Sequence, residues 1–200
     1  MPSTRWRALA VLAVTVVALT GCNDDGRTLA PTSATMPTSA TPATEPAAEV
    51  TGMRITSPDV VEGAALDPQF TCDGGGAAPE LVLEGAPLAA AELAVVVVDL
   101  DAADRVHLAV SGLPSTTARL DLDDPPDGAL LGLTDGGDVG WEPPCPPPGE
   151  GAHRYEFRLY AMTEPVGLAP GVPGREAVGL LDRAAIDVAR LGFTYAAASG

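Results

Sequence analysis

The chain has 200 residues, with 11 Lys+Arg against 27 Asp+Glu and a formal net charge of −16 at pH 7. All of its basic residues are arginines, because the sequence contains no lysine. Such an acidic surface argues against nucleic-acid binding and against electrostatic docking on anionic lipid headgroups. An anionic ligand would need a local pocket, since the overall field repels it.

The first 22 residues have the pattern of a targeting segment. Arg5 and Arg7 form a basic start, and the apolar stretch 8–19 is shorter than the roughly 20 residues that a membrane span needs. It ends in Leu19-Thr20-Gly21-Cys22, which resembles the lipobox of bacterial lipoproteins, where the cysteine is lipidated and becomes the new N-terminus. We therefore predict lipidation of Cys22; an ordinary secretory signal with a chance cysteine is the alternative. Processing would leave nine arginines against 27 acidic residues, a net charge of −18.

The rest of the chain divides by composition into a tether and a domain. Residues 23–50 are mainly Thr, Ser, Ala and Pro, and such a segment cannot bury enough apolar surface to order itself. We interpret it as a disordered linker between lipid and domain. Residues 51–197 suffice for one domain with its own core.

Apolar periodicity predicts a mainly β domain with long loops. Alternation at 80–84 indicates a half-buried strand, alternation over the eight residues 155–162 is the clearest strand signal in the chain, and the continuous β-branched run 93–99 indicates a central buried strand. Further candidate strands are 105–110, 117–122 and 193–196, and the turn formers in 123–140 predict a long loop. Only 175–191 has helical spacing of its apolar residues.

The two histidines are the strongest candidates for a functional site. His107 follows the strand-like run that ends at Asp99, and His153 follows a proline-rich block. Imidazoles can donate hydrogen bonds to a ligand near neutral pH. A metal site is the weaker alternative, because neither a His-x-x-x-His nor a Cys-x-x-Cys spacing is present. Hydrolysis by a serine nucleophile lacks the Gly-x-Ser-x-Gly motif. We therefore expect no metal, no cofactor and no enzymatic activity.

A series of short blocks occurs in a recognisable order along the domain. They are Ser57–Gly63, Phe70–Gly74, Ala78–Leu81, Val98–Ala102, Val106–His107, Leu133–Gly137 and Pro144–Tyr155. In this order the blocks resemble the phosphatidylethanolamine-binding protein family, in its bacterial, Raf kinase inhibitor-like branch. The resemblance implies a β-sandwich-like fold with a C-terminal helix and a small pocket for phosphate or phosphorylated headgroups.

The resemblance also implies which residues form the pocket. Carried over position by position, they are Asp99, His107, Cys145, Pro146, Pro147, His153 and Tyr155. The residue types suit an oxyanion, because imidazole N–H and phenolic O–H groups donate hydrogen bonds to it. A carboxylate beside an imidazole raises the pKa of the imidazole, and consecutive prolines form a stiff wall.

Five positions depart from the family pattern. Leu100 and Ala103 replace prolines, Leu108 a tryptophan and Gly136 an aromatic residue, and Pro143 stands where glycine is usual. These changes predict a looser, less aromatic rim. We expect a larger phosphorylated ligand to bind better by covering Trp141 or its neighbours on that rim.

The remaining cysteines suggest a disulfide. If Cys22 carries lipid, Cys72 and Cys145 remain in an oxidising compartment. Both lie in blocks that resemble loops near the family's pocket, so we expect them to be joined; two free buried thiols are the alternative.

Together these patterns predict a lipid-anchored binding protein on the outer face of the bacterial cytoplasmic membrane. Its expected partner is a small phosphorylated or anionic ligand, and it would touch the membrane only through the Cys22 lipid. Two alternatives remain: an inhibitor or regulator of an unidentified protein partner, such as a kinase or a protease, and, less favoured, a hydrolase that uses the histidines.

Overall fold

The computed structural model describes residues 52–198. The predicted signal, the Cys22 lipobox and the linker 23–50 therefore lie outside the described residues. The elements are β1 (Arg54–Thr56), β2 (Leu81–Glu84), β3 (Glu92–Asp99), β4 (Arg105–Pro114), β5 (Arg119–Leu120), β6 (Leu130–Leu131), β7 (His153–Met162), α1 (Gly174–Ala184) and β8 (Ala185–Tyr195). In this part of the chain, no helix is long and apolar enough to span a membrane.

The strands form two antiparallel sheets. One has the order β1-β2-β5, and the other has the order β6-β4-β3-β7-β8. One apolar core lies between the sheets, and a second lies between the larger sheet and α1. The prediction of a mainly β, sandwich-like fold is confirmed.

The apolar run in strand β3 does not alternate with polar residues, because the strand lies between the two cores. Leu93, Val95 and Val97 enter the core between the sheets. Their neighbours Ala94, Val96 and Val98 enter the core beneath α1. Because both faces of the strand are buried, its side chains are apolar throughout 93–98, and polar residues occur only at its two ends, Glu92 and Asp99. The predicted central strand is confirmed.

The predicted helix 175–191 is wrong in its second half. Helix α1 ends at Ala184, and β8 follows without a loop. In β8, Leu191, Phe193 and Tyr195 are buried in a period of two, and the strand pairs with β7 from end to end. This pairing outweighs the weak helical spacing of the apolar residues, since local propensity yields to tertiary packing. The predicted final strand 193–196 is the end of β8.

A β-bulge in β4 places His107. Val106 is opposite Val98 and Leu108 is opposite Val97, so three residues of β4 span two residues of β3. His107 is the extra residue of this bulge. Bulges re-aim a side chain out of the strict alternation of a strand. Val106 enters one core and Leu108 the other, and the His107 side chain lines a separate cavity.

Candidate functional site

A cavity of about 340 Å³ lies at the end of the sandwich where β3 finishes and β7 begins. All seven residues predicted for the ligand site line it: Asp99, His107, Cys145, Pro146, Pro147, His153 and Tyr155. Three further residues complete the lining: Ala102, Arg105 and Glu142. The structure thus brings together residues that are up to 56 positions apart in the sequence, between Asp99 and Tyr155.

His153 is held by a buried carboxylate. Its Nδ1 donates to Oδ2 of Asp99 over 2.7 Å. The other oxygen of Asp99 accepts from the backbone N–H groups of Asp101 and Ala102 at 2.9 and 3.1 Å, which fixes the carboxylate. The hydrogen bond that His153 donates to Asp99 raises the pKa of His153 above its ordinary value, against the opposing effect of burial. His153 is therefore charged to higher pH than a free imidazole.

His107 is held by a backbone carbonyl instead. Its Nδ1 lies 3.0 Å from the carbonyl oxygen of Glu142, and the backbone N–H of Glu142 donates to the carbonyl of His107 at 2.9 Å. Nε2 of His107 is buried and has no hydrogen-bond partner within residues 52–198. Burial lowers the pKa of His107, and the charge of Arg105 acts in the same direction. The two imidazoles of the cavity are therefore shifted in opposite directions.

Tyr155 presents a second buried polar group without a partner. Its hydroxyl has no hydrogen-bond partner among the described residues. The ring is fixed by Phe193, with centroids 5.1 Å apart, and by an edge contact with His107 at 5.4 Å. Burial raises the pKa of Tyr155, and the Asp99 carboxylate, which lies near the hydroxyl but outside normal hydrogen-bond geometry, acts in the same direction, so the phenol stays protonated. It can donate a hydrogen bond into the cavity.

Arg105 and Glu142 belong to the site but were missed by the sequence analysis. Their side chains form an ion pair in the cavity wall. Burial alone would raise the pKa of Glu142, but hydrogen bonds from Arg105 and Thr134 bring it below the ordinary value. Arg105 could have been found from its place two residues before His107 in the same strand. Glu142 could not have been found in this way, because an acidic residue is not expected in a pocket that binds anions.

The proline wall is tied to a second loop by the predicted disulfide. Cys72 and Cys145 are joined, with a Cα–Cα distance of 5.4 Å. The backbone N–H of Cys72 also donates to the carbonyl of Pro144 at 3.2 Å. In the same loop the Asp73 carboxylate accepts from the Tyr195 hydroxyl and from the Ala198 N–H. One wall of the cavity is thereby connected to the end of β8.

Two departures from the family pattern have local reasons. Ala103 has a φ of 53° in the turn between β3 and β4, a conformation that the ring of proline excludes. At Gly136, a Cβ atom would lie 2.8 Å from the carboxylate oxygens of Glu142, whose Oε2 accepts from the Gly136 N–H at 3.1 Å. The missing side chain leaves that space to Glu142.

Trp141 is not part of the cavity lining, contrary to the expectation that it forms the rim. Its ring stacks on Phe157 with centroids 6.1 Å apart, and it packs against the core between the sheets. A ligand in the cavity therefore does not need Trp141 for its apolar contacts.

Comparisons with known proteins agree with the fold and the sequence pattern. Residues 56–196 match the sequence model of the phosphatidylethanolamine-binding protein family. The Mycobacterium tuberculosis protein named "Putative lipoprotein LppC" is 38% identical over 192 residues, which cover 94% of both chains. The crystal structure of Escherichia coli YbcL, called a new member of the mammalian family, superposes with a TM-score of 0.69 at 26% identity. That superposition covers 73% of this chain and 99% of YbcL. The Chlamydia trachomatis protein CT736 superposes with a TM-score of 0.66 at 27% identity, covering 74% of this chain and 99% of its own.

Proposed function

Because the chain belongs to the phosphatidylethanolamine-binding protein family, we propose that its cavity binds a small oxyanion, either phosphate or the phosphorylated headgroup of a larger ligand. The observation that carries this proposal is the pair of buried polar atoms without partners, Nε2 of His107 and the hydroxyl of Tyr155, in one cavity. A buried polar group that lacks a partner costs about 1–3 kcal/mol. A ligand that offers an acceptor oxygen to the Tyr155 hydroxyl and an O–H group to Nε2 of neutral His107 would remove that cost at both groups.

The charges of the cavity indicate that hydrogen bonds, not net positive charge, would hold a compact anion. His153 and Arg105 are cationic, but each is already paired, with Asp99 and Glu142 respectively. The oxyanion would therefore enter a nearly neutral cavity inside an acidic protein. Its binding energy would come from directed hydrogen bonds, and we expect a low affinity for bare phosphate because so small a ligand makes few contacts.

We further propose that the domain works outside the cytoplasm, attached to the outer face of the membrane by the Cys22 lipid. The Leu19–Cys22 pattern supports this, and so does the name of the mycobacterial relative that matches the chain over 94% of its length. The disulfide is also consistent with an oxidising compartment.

Binding without turnover is the favoured activity. Cys145 is the only cysteine in the cavity lining. It is bonded to Cys72, so it has no free thiol and cannot act as a nucleophile. Neutral His107 could act as a general base and protonated His153 as a general acid, so hydrolysis of a phosphate ester is the second candidate. Release of phosphate from a phosphomonoester by the purified domain would favour hydrolysis over simple binding.

The alternative function is regulation of a protein partner, for which we assign no binding surface. The exposed large apolar residues among 52–198 are Val61, Leu88, Val139 and Ile186. None of them lines the cavity. These four exposed residues therefore provide no apolar surface in the cavity lining through which ligand binding could affect a partner.

Titration of the histidine resonances tests the anion pocket. At pH 6 and low salt, millimolar phosphate or phosphoethanolamine should shift the imidazole signals of both His107 and His153. It should also raise the pKa of His153, because the anion favours the charged ring. His107→Ala or His153→Ala should weaken binding, whereas Arg119→Ala, at an exposed ion pair in the other sheet, should leave it unchanged. Imidazole signals that do not move with either ligand would refute the proposal.

A further inference from the structure

The hydrogen-bond partner of His107 decides which of its ring nitrogens carries the proton. A carbonyl oxygen can only accept, so the contact with Glu142 requires a hydrogen on Nδ1. In the neutral ring, Nε2 is then an acceptor whose lone pair has no partner within residues 52–198. Two backbone hydrogen bonds fix the strand around it: Glu142 donates to the carbonyl of His107, and Asp135 to that of Val106.

The groups around His107 keep the ring neutral near physiological pH. Its pKa is lowered mainly by burial, and Arg105 contributes in the same direction. The carboxylates of Glu142 and Asp99 act in the opposite direction without reversing the shift. From β7, Tyr155 meets the ring with its edge at a centroid distance of 5.4 Å. His153, the other titratable residue of the cavity, forms its charge pair with Asp99.

The carboxylates of Asp99 and Glu142 already accept hydrogen bonds from His153 and Arg105, so the cavity offers a ligand several donors and one unpaired acceptor, Nε2 of His107. Arg105, Tyr155 and protonated His153 can each donate to a ligand oxygen. His107 is the exception, because its Nε2 offers a lone pair where the other groups offer hydrogens. A ligand that satisfies all four must carry several acceptor oxygens and one O–H group.

We propose that His107 selects oxyanions that carry a proton, so that hydrogen phosphate binds and sulfate is rejected. This inference rests on the proposed anion pocket and adds the chemical class of its ligand. Hydrogen phosphate and sulfate are both tetrahedral dianions at mildly alkaline pH, and they differ by one proton. With sulfate, an oxygen lone pair would face the buried lone pair of Nε2. A buried site that bonds a ligand hydroxyl discriminates strongly against an analogue that lacks it.

The same rule covers phosphorylated headgroups. A phosphomonoester loses its last proton near pH 6, and above that pH it has no hydrogen to offer Nε2. It must then bind with uptake of one proton by His107. Phosphoethanolamine should therefore resemble phosphate at pH 5.5 and sulfate at pH 8.

Calorimetric titration of the mature protein at pH 8 and constant ionic strength is the direct test. Phosphate should bind at least about tenfold more tightly than sulfate, a small part of the discrimination seen at sites built around a ligand hydroxyl. At this pH both ligands have the same charge, so repulsion by the acidic surface affects them equally. Repeating the titration in two buffers of different ionisation enthalpy measures proton uptake. Sulfate should take up about one proton more than phosphate, as linkage requires when His107 must be charged.

Two variants assign the effect to His107. His107→Gln places an amide that can turn its NH₂ group toward either anion, so the preference for phosphate over sulfate at pH 8 should fall to near unity. Tyr155→Phe is the matched control, since the phenol donates to either anion: it should weaken both and leave their ratio unchanged. If His107→Gln does not fold, the comparison in the unaltered protein still decides the question.

The outcomes separate the two proposals. Equal affinities for phosphate and sulfate at pH 8, or equal proton uptake, would overturn the selectivity and leave the anion pocket intact. Binding of neither anion between pH 5.5 and 8 would overturn the pocket itself, and the selectivity with it. Tight phosphate binding with weak, proton-coupled sulfate binding supports both.

Discussion

His153 and His107 line the same cavity, but a carboxylate holds one imidazole and a backbone carbonyl holds the other. The first partner favours the charged ring, whereas burial favours the neutral form of the second. Near neutral pH the cavity thus contains one imidazolium donor and one imidazole acceptor. This difference follows from the partners, because both rings have the same intrinsic pKa of about 6.5.

Asp99→Asn tests the charge pair. The amide keeps an oxygen for the N–H groups of Asp101 and Ala102 but removes the charge, so the pKa of His153 should fall. Because the pKa of His153 is raised on folding, the pair stabilises the fold fully below about pH 6.5. Its contribution disappears as pH rises through the raised value. Asp99→Asn should therefore destabilise by about 1.5–3 kcal/mol at pH 6 and by less at pH 9.

Imidazole titration by NMR and urea unfolding at both pH values measure these effects. Asp101→Asn is the matched control, because Asp101 lies two residues away and pairs with Arg154 at the surface. It should change the pKa of His153 less than Asp99→Asn does. An unchanged His153 titration in the Asp99→Asn protein would contradict the pairing.

Tyr155→Phe separates binding from stability. The hydroxyl has no partner among the described residues, while the ring packs on Phe193. Its removal should leave the free energy of unfolding within about 0.5 kcal/mol or raise it, since an unsatisfied buried group is lost. Phosphate affinity should fall about tenfold, the equivalent of one charged hydrogen bond of about 1.5 kcal/mol.

Tyr160→Phe is the same substitution outside the cavity, and it should lower stability without changing phosphate binding. The Tyr160 hydroxyl donates to Asp182 of α1 at 2.8 Å, away from the cavity lining. This variant should lose about 1 kcal/mol of stability and keep its phosphate affinity. Equal effects of the two variants on binding would show that Tyr155 acts only through the fold.

Strands whose burial follows their own sequence were predictable, and features that depend on pairing were not. The run in β3 indicated the strand and its burial, and the alternation in β7 indicated the strand, although its second half is buried on both faces. The switch from α1 to β8 depends on ten residue pairs with β7, which no local window of sequence contains. The bulge at His107 likewise depends on the register with β3.

The site likewise has features that the sequence predicts and features that depend on the folded structure. The seven predicted residues came from motif blocks, and the cavity unites them. The role of Glu142 rests chiefly on its backbone carbonyl, which any residue type would supply. A sequence therefore gives no indication that His107 presents its acceptor nitrogen.

The disulfide should matter for both the wall and the domain. It closes a loop with a sequence separation of 73 residues, for which chain entropy gives a stabilisation of about 4 kcal/mol. Reduction should lower the urea midpoint accordingly. It should also weaken phosphate binding, because Cys145 lines the cavity beside Pro146 and Pro147.

Thiol labelling provides the control for that experiment. Unfolded but unreduced protein should take up no label at Cys72 and Cys145, and reduced protein should take it up at both. The double variant Cys72→Ser/Cys145→Ser should reproduce the reduced protein without a reductant. Full labelling before reduction would contradict the bridge.

At the scale of the whole molecule, the cavity and the start of the domain lie at opposite ends of β3. Gly52 adjoins Gly85, which shares a small cavity with Leu93 near the beginning of that strand. The phosphate cavity lies at Asp99, where the strand ends. Eight residues at about 3.3 Å each separate the two by about 25 Å. The described part of the chain therefore begins at the end of the domain away from the cavity.

Cys22→Ala tests the proposed lipid anchor. Cys72 and Cys145 are joined, which leaves Cys22 as the one remaining cysteine of the three in the chain. Without lipid, a protein of such negative charge has no attraction to an anionic membrane surface. The variant should accumulate with its first 21 residues still attached, and it should take up no labelled fatty acid. The unaltered protein should take up label, lose the signal and sediment with membranes.

Because the domain folds around its own two cores, Cys22→Ala protein released by a protease within 23–50 should still bind phosphate as tightly as before. Cleavage after Gly21 in the variant, together with unchanged membrane partition, would contradict lipidation.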